Sequence, residues 1–212
     1  MNLILIIFLI IYGGLPLKIA VGIVSLIGMR EFYHGFSKKD RTEHVIGYVF
    51  ALIYLVFTTQ IIFGSNIFNI FVAAFVLCML IYLVVFHNNT NIEEIFITLF
   101  GFFYVCFLLS HIYLTRDFAN GRFFVWLIFL CAYGCDTGAY LIGITVGKHK
   151  LIPSLSPKKT IEGAIGGIII ATALCMLFGV VVESRFTIEH INIPLFCALT
   201  GLIGSVLSQI GD

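Results

Sequence analysis

Asp136 stands near the middle of an apolar run, within Cys135-Asp136-Thr137-Gly138-Ala139-Tyr140. A charged group at the centre of a membrane span costs about 2.5–3.5 kcal/mol on insertion scales, so such residues face a cavity, a partner or an ion path rather than lipid. Gly134 and Gly138 flank it. They permit close backbone approach or a break in the helix, and either opens a polar pocket around the carboxylate. The plain alternative is a protonated or helix-paired aspartate that only knits a bundle together.

Just downstream, Lys148, Lys150, Lys158 and Lys159 place four lysines within twelve residues, directly before a helix start. Ser156 followed by Pro157 reads as an N-cap with proline at the first helical position. The free N–H groups and dipole of that helix end favour an anion, and the lysines reinforce it as point charges, so a polyphosphate is the natural guest. Basic loops also serve only to set topology or attract anionic lipid. The Ser-Pro cap, the acidic Glu162 and the run Gly163, Gly166, Gly167 favour a site, although glycines so spaced also serve as packing notches. Asp212 closes the sequence after Gly211. Together with Asp136 and phosphate oxygens it would suit Mg²⁺. For Glu162 three roles stay open: binding the metal, orienting a lysine, or capping its own helix from the first turn.

The elements that must position these residues are membrane spans. Of 212 residues 60% are apolar and 11% charged, against roughly 25% charged in soluble domains. A bilayer-spanning helix needs about 20 mainly apolar residues, and such stretches recur near 2–12, 15–33, 45–63, 66–87, 94–114, 122–147, 161–182 and 194–210. The first is too short for a full crossing and either forms a partial span or merges with the next. The expected fold is therefore all-α, a polytopic transmembrane helical bundle of about seven or eight spans. It forms a single integral-membrane domain over 1–212, with N-terminal spans in 1–114 and the phosphate-binding spans in 115–212. The N-terminus lacks a basic n-region and a small-residue cleavage site, so it is expected to be retained. The six cysteines all fall in apolar stretches and read as small hydrophobes.

Eight of the twelve basic residues sit in the segments 30–44 and 147–160. Four spans separate those segments, which puts both on one face by counting and on the cytoplasmic face by the positive-inside rule. The opposite face receives the mixed-charge loops 115–121 and 183–193.

The string Asp136-Thr137-Gly138-Ala139-Tyr140, then Gly147-Lys148-His149-Lys150-Leu151, then Ser156-Pro157-Lys158-Lys159-Thr160-Ile161-Glu162-Gly163 with Gly166-Gly167, resembles the bacterial phosphatidate cytidylyltransferases, or CDP-diacylglycerol synthases. The resemblance implies an enzyme of the cytoplasmic membrane, its active site facing the cytoplasm, that joins CTP to phosphatidate with Mg²⁺ and releases pyrophosphate. It implies no nucleic-acid partner. Catalytic roles would fall to Asp136, Lys148, Lys158, Lys159 and Glu162, substrate binding to Ser156, Pro157, Thr160, Gly163 and Tyr140, and metal binding to Asp136 and Asp212. Members of that family continue past the Gly-Asp matching Gly211-Asp212 into a region rich in lysine, aspartate, histidine and glycine, which this sequence does not contain. The expectation is either a truncated form or one that binds without turning over.

Two rivals use the same residues differently. A CTP-dependent lipid kinase of the polyprenol type would move the terminal phosphoryl group instead, and a secondary transporter would bind a coupling ion at Asp136. The absence of internal repeat symmetry weighs against the transporter. The Gly134–Gly138 and Gly143–Gly147 spacings permit close helix contacts within one chain or between two copies, so a homodimer is compatible with them.

Overall fold

The structure is a computed structural model, and it describes residues 3–37, 42–64, 66–88, 90–153, 156–185 and 192–211. Its helices are α1 (Leu3–Tyr12), α2 (Gly14–Phe36), α3 (Thr42–Phe63), α4 (Ile67–Val85), α5 (Ile92–Gly101), α6 (Leu108–Asp117), α7 (Gly121–Thr145), α8 (Ile161–Glu183) and α9 (Ile193–Gly211). A π-helical segment, Phe102–Phe107, joins α5 to α6 into one continuous rod. Strands β1 (Lys150–Ile152) and β2 (Ser156–Thr160) lie between α7 and α8.

Among the described residues six helices are long and apolar enough to cross a membrane, so this is a multi-pass helical membrane protein. The sequence reading of seven or eight spans exceeds that number at the N-terminus. Helix α1 has only 10 residues, about 15 Å at 1.5 Å per residue, half of a bilayer core. Helix α2 has the length, with 23 residues, but carries Lys18, Arg30, Glu31 and His34.

The chain forms two compact units, residues 1–119 and 120–212. The first has an aromatic core in which Tyr54, Phe75, Phe102, Met29 and Met79 are fully buried. Several of the polar groups inside it are paired, which offsets the cost of burying them. Tyr54 Oη lies 2.9 Å from Ser110 Oγ. Thr58 donates to the Tyr54 carbonyl at 2.6 Å and accepts from Tyr113 Oη. At another point of the unit, Ser37 donates to Glu94 at 3.3 Å, and His44 Nε2 lies 3.5 Å from the same carboxylate.

The second unit consists of α7, the β1–β2 hairpin, α8 and α9. Its packing follows from small residues at every fourth position. Along α8 the buried face reads Gly163, Gly167, Ala171, Cys175, Gly179, and along α9 it reads Ile193, Cys197, Gly201, Ser205. In lipid, where apolar side chains gain nothing by leaving their solvent, such stripes let backbones approach and gain dispersion contact. A Cβ added at Gly167 would stand 2.7 Å from the Cys135 carbonyl oxygen and 3.0 Å from Ala139 Cβ, so α7 and α8 touch there almost backbone to backbone. Cys131, Cys175 and Cys197 take the place of small hydrophobes in these stripes and pack in one cluster with Leu127, Val182 and Ile193.

Ser156 and Pro157, read from the sequence as a helix start, instead belong to β2, and α8 begins later, at Ile161. The cap is Thr160, whose Oγ1 accepts from Gly163 N at 3.1 Å. Lys150 pairs with Thr160 and Ile152 with Ser156 in an antiparallel ladder. Proline is tolerated because both strands of a two-stranded ribbon are edges, where a missing N–H costs no ladder bond.

Candidate active site

Helix α7 ends at Thr145, and the chain must turn back through residues 146–160 to start α8. Four contacts set that turn. The Ile161 amide donates to the His149 carbonyl at 2.9 Å and closes the base of the hairpin. Glu162, in the first turn of α8, accepts from the amide of Lys148 at 3.1 Å and from the amide of His149 at 3.2 Å. Its other oxygen stands 2.6 Å from His149 Nδ1. Beside the three roles open for Glu162, the geometry adds another: a staple that holds residues 148–149 against the start of α8.

The fixed turn leaves a cavity of about 620 Å³ between α7, the hairpin, α8 and the end of α9, within the roughly 300–1,000 Å³ of small-molecule sites. Asp136, Ala139, Tyr140 and Gly143 line it from α7, and Lys150, Lys158, Lys159 and Thr160 from the hairpin. Gly163 and Ala164 come from α8 and Gln209 from α9. The first turn of α8 thus presents its N-terminus to the cavity. Three lysines and a helix N-terminus around one hollow are groups that favour a highly charged anion.

Of the residues singled out from the sequence, Asp136, Tyr140, Lys158, Lys159, Thr160 and Gly163 come together here. Lys148, Ser156, Pro157 and Glu162 are outside that set: Lys148 contributes its amide to the Glu162 staple, and Ser156 and Pro157 build the strand. Gly163 acts as a packing notch, since a Cβ there would stand 2.8 Å from the Ala139 carbonyl and 3.1 Å from Gly143 Cα. Asp212 lies outside the described residues.

Sequence reasoning counted Lys150 in the basic cluster without giving it a role of its own, and passed over Gln209. Gln209 Nε2 donates to the Ala164 carbonyl at 2.7 Å and lies 3.2 Å from Cys135 Sγ. It ties the end of α9 to α7 and α8 beside Asp136. Its signal was present, because Gln209 continues the four-residue stripe from Cys197 through Gly201 and Ser205. Lys150 differs from Lys148 only in that β1 turns it inward, and spacing does not encode that.

Among the described residues no three of His, Cys, Asp and Glu group as a self-sufficient metal site. One carboxylate, Asp136, shares the cavity with the anion-binding groups. This donor set fits a Mg²⁺ that arrives with a phosphate ligand, since that ion is ordinarily held by one or two carboxylates plus substrate phosphates and water.

A family model described as the cytidylyltransferase family matches residues 1–212. The chain is similar to the phosphatidate cytidylyltransferase of Staphylococcus haemolyticus, with 31% identity over 98% of this chain and 78% of that protein. It is similar to that of Bacillus subtilis at 31% identity, over 97% of this chain and 76% of the relative. The Staphylococcus aureus (strain COL) protein of the same name is 30% identical over 98% and 78%. Matched along its whole length by that model, the chain belongs to the cytidylyltransferase family.

Proposed function

We propose that this chain transfers CMP from CTP to phosphatidate, giving CDP-diacylglycerol and pyrophosphate. The observation that carries the reading is the convergence of Asp136 with Lys150, Lys158, Lys159 and the α8 N-terminus on one cavity, in a chain whose relatives are named phosphatidate cytidylyltransferases. The names of the relatives favour neither the kinase nor the transporter reading.

The phosphate of phosphatidate is largely ionised near neutral pH, because the second ionisation of a phosphate monoester lies near pH 6. No strong general base is needed. A phosphate oxygen attacks the α-phosphorus of CTP in line, the bond from that phosphorus to the bridging oxygen breaks, and pyrophosphate departs with the electron pair. Catalysis then consists of positioning and of neutralising charge on the leaving group. Lys150, Lys158 and Lys159 supply cationic donors, and the dipole of α8 adds to their field. Asp136 would hold Mg²⁺, and Asp212 remains a second candidate ligand. Mg²⁺ held there would supply neutralisation of phosphate charge.

Counted along the chain, four long apolar helical rods lie between the basic segment 30–44 and the hairpin. The lysine-rich segments therefore share a face, and the positive-inside rule makes it the cytoplasmic one, where CTP is available. Phosphatidate enters from the bilayer and the nucleotide from water.

The test is to incubate the purified chain with Mg²⁺, phosphatidate, and CTP labelled at the α- or the γ-phosphate. Label from the α-position entering the lipid fraction is the expected result. Label from the γ-position establishes a kinase, and no transfer together with Mg²⁺-dependent CTP binding establishes a non-catalytic form.

A further inference from the structure

Beside the lysines that line the cavity, the hairpin carries exposed apolar side chains. Leu151 and Ile152 are 39% and 48% exposed, and Pro153 beside them is exposed too. Around these apolar residues stand Lys148, Lys150 and Lys158, all exposed. Apolar tips ringed by lysine are what a leaflet carrying anionic headgroups accommodates, with the stems buried and the ammonium groups at phosphate depth.

The tether makes that location unavoidable. Helix α7 ends at Thr145 and α8 starts at Ile161, both at the ends of apolar spans, and the Ile161–His149 bond closes the hairpin base. Strands of three and five residues reach only about 10–17 Å at roughly 3.3 Å per residue. The headgroup layer on each side is about 5–8 Å deep, the difference between a core of about 30 Å and a whole bilayer of about 40–45 Å. A hairpin of that reach with an apolar tip lies along this layer.

We propose that the β1–β2 hairpin is an interfacial flap, with Ile152 immersed in the headgroup layer of an anionic leaflet and Leu151 bridging that layer to the cavity it also lines. Its lysines stand at the depth of lipid phosphates, and a phospholipid substrate passes beneath it sideways. The passage of substrate rests on the function proposed above; the immersion of the tip does not.

Trp126 is the only tryptophan of the chain, so Ile152→Trp in a Trp126→Phe background reports on the tip alone. The full chain is reconstituted into vesicles of phosphatidylcholine with a minority of phosphatidylglycerol. Expected are blue-shifted emission and stronger quenching by a nitroxide on the headgroup than by one deep in the acyl chain. Emission typical of water, quenched by iodide and by neither nitroxide, overturns the proposal, as does strongest quenching by the deep nitroxide. In parallel, Ile152→Ser should raise the surface KM for phosphatidate about fivefold, the value expected for losing half of a buried side chain's transfer energy, with kcat and the KM for CTP unchanged. An unchanged surface KM overturns the substrate path. Nitroxide quenching as expected with no label transferred from CTP leaves the flap standing and removes the reaction, whereas transfer with a water-exposed tryptophan does the reverse.

Discussion

Gly167→Ala tests how tightly the α7–α8 contact positions the site. The added methyl would stand 2.7 Å from the Cys135 carbonyl oxygen, 3.0 Å from Ala139 Cβ and 3.1 Å from Ala139 N. None of these is the end of a flexible side chain, so the helices themselves must separate by several tenths of an ångström. Overpacking of this sort costs about 1–3 kcal/mol, and about 2–4 °C of Tm accompanies each kcal/mol in a chain of this size. The displaced carbonyl belongs to the residue just before Asp136, so the carboxylate moves with it. Since a misplacement of about 1 Å can cost on the order of 100-fold in rate, kcat should fall by about 10- to 100-fold. The assay pairs thermal unfolding in detergent with α-labelled CTP transfer. Gly35→Ala is the control, because nothing lies within 4 Å of a Cβ there. A Gly167→Ala protein with the Tm and kcat of the parent would refute the reasoning.

Three further outcomes follow from the site. Lys150→Met should raise the KM for CTP about tenfold or more, the worth of a hydrogen bond to a charged group, while Lys148→Met should stay within about twofold because only the amide of Lys148 is used; equal effects would remove the distinction between them. Glu162→Gln loses the charged acceptor shared by two amides and the His149 ring, so hydrogen exchange at the amides of residues 148 and 149 should accelerate with little change in Tm. Gln209→Leu removes the 2.7 Å bond to the Ala164 carbonyl, which keeps its partner within α8, and should lower Tm by a few degrees, about 0.5–1.5 kcal/mol for one lost hydrogen bond; an unchanged Tm would show that the clip contributes nothing.

The relation between chain and site is clearest where two similar signals had different outcomes. Asp136 was legible because a carboxylate in an apolar run is costly wherever it occurs, and the structure lines a cavity with it. Lys148 and Lys150 looked equivalent, and only the pairing of β1 with β2 turned one inward. Ser156-Pro157 carried a local helix-start pattern, yet the ladder to Lys150–Ile152 extended that segment and passed the cap to Thr160. Local propensity is a weak preference that a few tertiary hydrogen bonds outweigh.

By itself the sequence determined the membrane-spanning helical architecture, the basic hairpin region and the family, since hydropathy, charge placement and motif spacing are properties of the chain before it folds. It overstated the spans at the N-terminus, where a short helix and a polar one border the limit of what a bilayer accepts. Only the tertiary structure decided which lysines face the cavity, that Glu162 staples the hairpin, and that Gln209 joins α9 to the site. Those outcomes depend on backbone approach across glycine stripes and on hydrogen bonds between residues 13 to 74 positions apart, distances over which a sequence pattern carries no geometry.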